Sequence, residues 1–527
     1  MRNIVKGNGQ NIAKNLSVVD KFMLWLNDKF IRYKVPFLSS MIVGLLTYMF
    51  MFTNKIPNHD DVEYLFGKGA ELASGRWGLS LMSYIFPDFS MPWIYGIVTI
   101  ILISISVCIT VNIFNIQNKI YQGLLGGLII AFPSLVRTFN FMFTSTSYGV
   151  SFILAVLSVY FLIKREWYNK VIALTLLVFS VSIYQAYVAI TASFLLIYVI
   201  QMLIDDEVDI KDIIKKGVFF VLFLAVSLAV YYGITQIILL LSNQEFNEYA
   251  SDNINIEYSL LKRILFPYYS LLLSFIDISF CLIPTWLSSV MHIAVILIVC
   301  LECILLLRRY NNKLKVILFI FLIALLPMAI NCLYLFVDAG KMHVLTRYSF
   351  VSLYVICFVI LESIGAKTDF KFKNLSKDIV SIFMFIIIIT NVYFANQVYL
   401  SNMLRYENMY SLYTSLITQI KTSGLLDDED TKIAIIGESV EMQTNNYELC
   451  KSNDIGVFGE ASLRPHSYAK FIKYYIGFDA EFATDEEIEQ IAQTDEFKNM
   501  GRYPHYGSIQ KIDDYLVVKF SDLEEAQ

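Results

Sequence analysis

The sequence predicts a polytopic α-helical membrane protein that ends in a small α/β domain, and three observations carry the prediction. The 527 residues are 57% hydrophobic and only 17% charged, whereas soluble domains are about one-quarter charged. Apolar runs near the ~20 residues that a bilayer-crossing helix requires recur between residues 36 and 398. From residue 399 onward the chain turns charged and alternates strand-like with helix-like patterns.

Residues 1–35 carry Arg2, Lys6, Lys14, Lys21, Lys29, Arg32 and Lys34 and read as a basic cytoplasmic N-terminus. No small-residue cleavage site follows the first apolar run, so that run is expected to stay as a helix. Eleven spans are predicted, at 36–54, 93–116, 121–138, 146–163, 171–186, 187–204, 217–242, 288–307, 313–335, 346–364 and 378–398. Lysine and arginine gather in the loops 117–120, 164–170, 205–216, 308–312 with its flank, and 365–377, which are therefore assigned to the cytoplasm. This pattern is consistent only if 264–287, with Pro267, Asp277 and Pro284, is re-entrant or interfacial. The first outer loop is then 55–92, the membrane core 36–398, and 399–527 an extracytoplasmic α/β domain with strands expected at 432–437 and 513–520. Six of the seven cysteines lie in apolar segments and only Cys450 in a polar one, so no structural disulfide is expected. Membrane lipids are the expected surroundings, and no nucleic-acid partner is expected.

The first outer loop holds the chemistry-bearing stretch NHDDVEYLFGKGAELASGRW, residues 58–77. Val62, Leu65, Phe66, Leu72 and Ala73 fall on one stripe of a predicted helix that Ser74-Gly75 ends. A second apolar face follows at Trp77, Leu81, Met82, Ile85 and Phe86. Both helices are expected to lie along the membrane surface. Asp60 and Asp61 start the first one. Asp60 reads as an N-cap with Glu63 completing a capping box, and Asp61 as a carboxylate kept ionised by the positive helix end. Either carboxylate can act as the general base, with Asp61 the favoured one, or the pair can serve with Glu63 as ligands for Mg²⁺ or Mn²⁺. His59 is open between bystander and participant.

The loop resembles that of the bacterial O-antigen serotype-converting glucosyltransferases, in which an apolar first helix is followed by an HDD and a helix ending in GRW. The stretch SIYQAY at 182–187 is similar to another of that family. The resemblance spans roughly 36–400 and reaches Asp60, Asp61, Gly75, Arg76, Trp77, Tyr184 and Gln185. It implies a GT-C class integral membrane enzyme that moves glucose from undecaprenyl-phosphate-glucose to a cell-surface polysaccharide on the outer side of the cytoplasmic membrane, with the lipid-linked sugar as substrate and no certain cofactor.

The chemistry supports this independently. A sugar hydroxyl is a poor nucleophile, so a carboxylate in hydrogen-bond reach must take its proton. The leaving lipid phosphate gains charge, which an arginine fork can hold. Arg76, Arg137, Arg263 and Arg347 are the candidates near the outer surface, with Arg76, Arg137 and Arg347 favoured; Arg137 and Arg347 stand at outer ends of spans, where snorkelling to headgroups is the alternative. Tyr184 and Gln185 at an outer turn, with His59, Trp77 and His343, are candidate sugar or acceptor contacts. Rival readings are a lipid-linked oligosaccharide flippase, which would show paired repeats and broken helices at mid-membrane, and a polysaccharide polymerase or ligase, with its largest polar loop late in the chain.

Overall fold

In a medium that offers no hydrogen bonds, backbone groups must pair within their own segment, and apolar sequence of this length does so as helix. The computed structural model describes residues 17–65, 72–86, 90–205, 208–247, 259–276, 285–308, 310, 312–337, 342–367, 373–426, 431–437 and 463–523. From the N-terminus, α1 (Val18–Thr53) leads to two short helices, α2 (His59–Glu63) and α3 (Trp77–Met82). Then follow α4 (Pro92–Ile113), α5 (Lys119–Ile130), α6 (Pro133–Asn140), α7 (Met142–Leu162), α8 (Trp167–Ile183), α9 (Val188–Ile204) and α10 (Ile210–Ser242). The helices α11 (Leu260–Ile276), α12 (Trp286–Leu307), α13 (Lys313–Ile330), α14 (Ser352–Lys367) and α15 (Lys373–Ser423) complete the core.

Among the described residues, nine helical segments are long and apolar enough to cross a bilayer. The bent pair α5–α6 makes a tenth if it is one span, and the 17-residue α8 is apolar but shorter. Each of the eleven predicted segments coincides with a helical stretch. Of 264–287, the part up to Ile276 belongs to α11, and Asp277 and Pro284 lie outside the described residues, as do Cys281 and Cys450.

Three boundaries differ from the prediction. The first helix starts at Val18, well inside the stretch read as a polar N-terminus. It bends at Tyr33, where the backbone leaves helical φ/ψ, and passes through Pro36. The span predicted at 121–138 is broken, its halves meeting at 41°. Pro133 has no N–H to give the carbonyl of Ile129, four residues back, and its ring disfavours a straight continuation. Three tyrosines take over the carbonyls around the break: Tyr348 donates to Ile129 at 2.9 Å, Tyr48 to Ile130 at 2.7 Å and Tyr399 to Val136 at 2.9 Å. Irregular backbone is thus tolerated there because buried side chains satisfy it. Finally, no break occurs at 399. The helix α15 has 51 residues, roughly 75 Å at 1.5 Å per residue, and carries the chain from the apolar core directly into the C-terminal unit.

That unit comprises β1 (Lys432–Ile436), α16 (Tyr468–Phe471), α17 (Asp485–Gln493), α18 (Asp495–Asn499), β2 (Ile509–Ile512) and β3 (Tyr515–Lys519). The sheet order is β1-β3-β2, with β1 parallel and β2 antiparallel to the central β3. Alternation sorts the side chains. Ile433, Ile435, Leu516 and Val518 join Tyr413, Leu416 and Ile420 at the end of α15, while Ala434, Ile436 and Val517 meet Ile491 and Phe497 of α17 and α18. Both predicted strands are present. β2 is the one that the sequence reading lacked.

Candidate active site

A helix of five residues does not persist alone in water, yet α2 carries the two adjacent carboxylates. It is held from several sides. Asn58 is its N-cap: its side-chain oxygen accepts from the N–H of Asp61 at 2.9 Å, and the Asp61 carboxylate accepts from the N–H of Asn58 at 3.3 Å. The expected capping box of Asp60 with Glu63 is therefore displaced to Asn58 with Asp61. The amide of Asn58 also donates to the carbonyl of Asn140 at the end of α6, at 2.8 Å. Asn402 of α15 donates to the Asn140 side chain at 3.3 Å.

The two carboxylates have different surroundings. Asp61 is 1% exposed. Its second oxygen accepts from the N–H of Phe143, in the first turn of α7, at 3.1 Å, and its carboxylate also hydrogen-bonds the Ser90 hydroxyl. Burial pushes its pKa up to about 7, against the pull of these hydrogen bonds and with a smaller push from Asp60. Desolvation thus acts against the effect of the positive helix end that the sequence suggests for Asp61. The Asp60 side chain is 31% exposed, with Oδ1 3.6 Å from Nε2 of His59. His59 is buried between the rings of Phe141, at 6.3 Å, and His466, at 5.7 Å.

Lys55, at the end of the first span, has its ammonium 4.9 Å from the ring of Tyr475. Burial lowers its pKa, and the nearby Asp61 opposes that shift. Glu63 faces away from the pair: Lys470 Nζ lies 2.6 Å from its carboxylate and 2.7 Å from its carbonyl oxygen. The acidic trio does not suit a metal. Glu63 is engaged by Lys470, Asp61 by N–H donors, and among the described residues no three His, Cys, Asp or Glu side chains are grouped to hold an ion.

The apolar side of α2 is covered by protein and does not lie open to a lipid surface. Val62 is fully buried and joins the C-terminal core with Tyr413 and Phe471.

The arginines belong to an arc of packed elements that begins beside α2. Arg137, in the last turn of α6, is buried with its guanidinium 5.3 Å from the Phe141 ring, which also meets His59. Ser134 of α6 donates to the carbonyl of Val344 at 2.7 Å, which joins α6 to the 3₁₀ turn Val344–Val351. That turn carries the buried Arg347, which donates to the Met342 carbonyl at 3.5 Å, and His343 stands exposed just before it. Tyr348 then meets Tyr187 at 6.1 Å, and Tyr187 meets Tyr184 at 5.1 Å. Over the Tyr184 ring lies the Arg76 guanidinium, at 5.9 Å.

At this far end of the arc the SIYQAY stretch breaks the helix. Tyr184 is extended, and a short 3₁₀ turn precedes α9. Gln185 donates to the carbonyl of Ser74 at 3.1 Å and to the Tyr231 hydroxyl at 3.2 Å, and Tyr231 donates to the carbonyl of Gly75 at 3.0 Å. Gln185 thus ties down the loop before Arg76. Gly75 has φ +75°, and a Cβ there would come 2.8 Å from the Tyr231 hydroxyl. Trp77 packs beside Phe179 of α8, ring centres 6.1 Å apart.

The sequence reading missed Asn58, Ser90, Asn140 and Tyr231, which are ordinary polar residues in unremarkable contexts. It also missed His466, Lys470 and Tyr475, which are some four hundred positions from α2. Only the capping-box spacing of Asn58 and Asp61 was visible in principle. With the geometry in hand, comparison with known proteins finds that the family model described as glucosyl transferase GtrII matches residues 49–359, more than half of the chain and all of this arc. No curated protein matches the chain.

Proposed function

The chain belongs to the glucosyl transferase GtrII family and is a multi-pass membrane glucosyltransferase; from that premise we propose that it takes glucose from a polyprenyl-phosphate donor, undecaprenyl-phosphate-glucose, and passes it to a hydroxyl of a surface polysaccharide on the outer side of the cytoplasmic membrane, in a GT-C type architecture. The family favours this reading over a flippase or a polymerase. The observation that carries the mechanism is the unequal burial of the two carboxylates.

Asp60 is the general base. It is the member of the pair with the partly exposed side chain, and it stands in the first turn of α2. As the acceptor oxygen bonds to the anomeric carbon, Asp60 takes its proton. The bond from that carbon to the phosphate oxygen breaks, and the lipid phosphate leaves with the electron pair and one more negative charge. Arg137 and Arg347, each buried, supply fixed positive charge for it, and Arg76 contributes from the far end of the arc. Asp61 acts as a brace, because both of its oxygens are engaged by main-chain N–H groups. His59, Trp77, Tyr184 and His343 are proposed sugar or acceptor contacts.

The deciding experiment incubates purified protein with a panel of polyprenyl-phosphate sugars and follows donor consumption. Selective consumption of the glucose donor is expected, and consumption of none of the panel removes the donor assignment. Orientation is read separately. Tyr506 of the C-terminal unit is fully exposed, and Tyr506→Cys should add labelling by a membrane-impermeant maleimide in intact spheroplasts. Added labelling seen only after permeabilisation would place the unit, and α2 with it, inside.

A further inference from the structure

The C-terminal unit lies beyond the family match at 49–359, yet it grips α2 at three points. Lys470 of α16 pairs with the Glu63 carboxylate and also donates to its carbonyl. That second bond satisfies a carbonyl in the last turn of α2, where a cation also meets the negative end of the helix. Val62 is fully buried in the core of the unit, beside Tyr413 and Phe471. His466, in the 3₁₀ turn Pro465–Ser467 just ahead of α16, covers the His59 ring at 5.7 Å.

A half-exposed ion pair contributes little to stability by itself. The weight of this one comes from what it holds. The helix α2 is five residues long and cannot set its own position. Asn140 and Phe143 fix its N-terminal end from the membrane core. At the C-terminal end, Lys470 makes the described polar contacts to Glu63. Asp60 sits between these anchors, and Lys470 supplies the polar part of the second one, so its loss is expected to loosen the Asp60 carboxylate while Val62 and His466 keep α2 docked.

We propose that Lys470 is a positioning residue for glucosyl transfer: the C-terminal unit clamps α2 through Glu63 and thereby sets the place of Asp60. The inference rests on Asp60 being the base. It makes the C-terminal unit part of the catalytic apparatus, reaching the reaction through α2 without touching the reacting atoms.

The test uses the full-length protein in native membranes, with undecaprenyl-phosphate-glucose as the probe. Lys470→Met should lower kcat roughly 10- to 100-fold, the scale of a misplacement near 1 Å, with the donor KM unchanged and the melting midpoint nearly so. Lys470→Arg should keep most of the activity. The exchange Glu63→Lys with Lys470→Glu should recover kcat well above either single change, although the bond to the Glu63 carbonyl is lost. A wild-type kcat in Lys470→Met, or an exchange no better than the single changes, overturns the proposal; the exchange remains readable if Lys470→Met fails to fold. Asp60→Asn, assayed alongside, separates the two claims: full activity there removes the base assignment, whatever the Lys470 variants do.

Discussion

Asp61 Oδ1 accepts the main-chain N–H of Phe143 at 3.1 Å, so a carboxylate in the first loop caps a helix whose first turn lies 82 residues further along the chain. With its other oxygen on the N–H of Asn58, the same side chain joins two helix starts. Those two bonds engage both oxygens of Asp61, while the neighbouring Asp60 side chain stays 31% exposed.

The Asp→Asn changes should therefore diverge. Asp60→Asn is expected to lower transfer roughly 10²- to 10⁴-fold, the usual share of general-base catalysis, with little change in melting temperature. Asp61→Asn turns an NH₂ toward one of two buried N–H donors and should cost about 1–3 kcal/mol of stability. Activity and thermal stability measured on both variants check the split. A fully active Asp60→Asn enzyme would end its assignment as base.

The raised pKa of Asp61 predicts a pH dependence of stability. A carboxyl with a folded-state pKa of about 7, against an ordinary value of 3.8, binds more protons folded than unfolded between those limits. Its contribution to stability is fully present below the unfolded pKa and is lost as pH rises through the folded one. The melting temperature of the wild type should carry a component that falls from about pH 4 to pH 7, and Asp61→Asn should remove it. Scanning calorimetry or tryptophan fluorescence in detergent reads this directly.

Replacement of Arg137 or Arg347 by Gln should weaken use of the lipid-phosphate donor by about 1.5–3 kcal/mol in kcat/KM, the scale of one charge-assisted hydrogen bond. Lysine should rescue only in part, since it keeps the charge and loses the planar fork. Unchanged kinetics in both Gln variants would reduce these arginines to structural or headgroup contacts.

Gly75→Ala tests the far end of the arc. An L-residue at φ +75° costs about 1–2 kcal/mol, and the new methyl meets the Tyr231 hydroxyl. Transfer should fall because Arg76, the next residue, is shifted from the Tyr184 ring. Tyr231→Phe removes the clash partner together with the bond to the Gly75 carbonyl, so adding it to Gly75→Ala should not restore transfer, and a restored rate would show that the bond is dispensable.

The sequence by itself determined the helical membrane class, the places of the eleven apolar segments, strands β1 and β3, and the loop that carries the acidic pair. These follow from local quantities: the length of an apolar run, its periodicity, and the identity of a short motif. It also pointed to Arg137 and Arg347, because an arginine at the end of an apolar segment is conspicuous in any context. Tertiary structure alone decided which aspartate is buried, because desolvation of Asp61 comes from α7 and its surroundings, and no spacing rule encodes that. It decided that Asn58 caps α2, that Gln185 ties the Gly75 loop, and that three tyrosines from α1, the Val344–Val351 turn and α15 satisfy the broken span. Each of these joins groups brought together only when the chain folds, and the clearest is Lys470 on Glu63, 407 residues apart. A hydrogen bond is fixed by distance and direction in space, which sequence separation does not constrain.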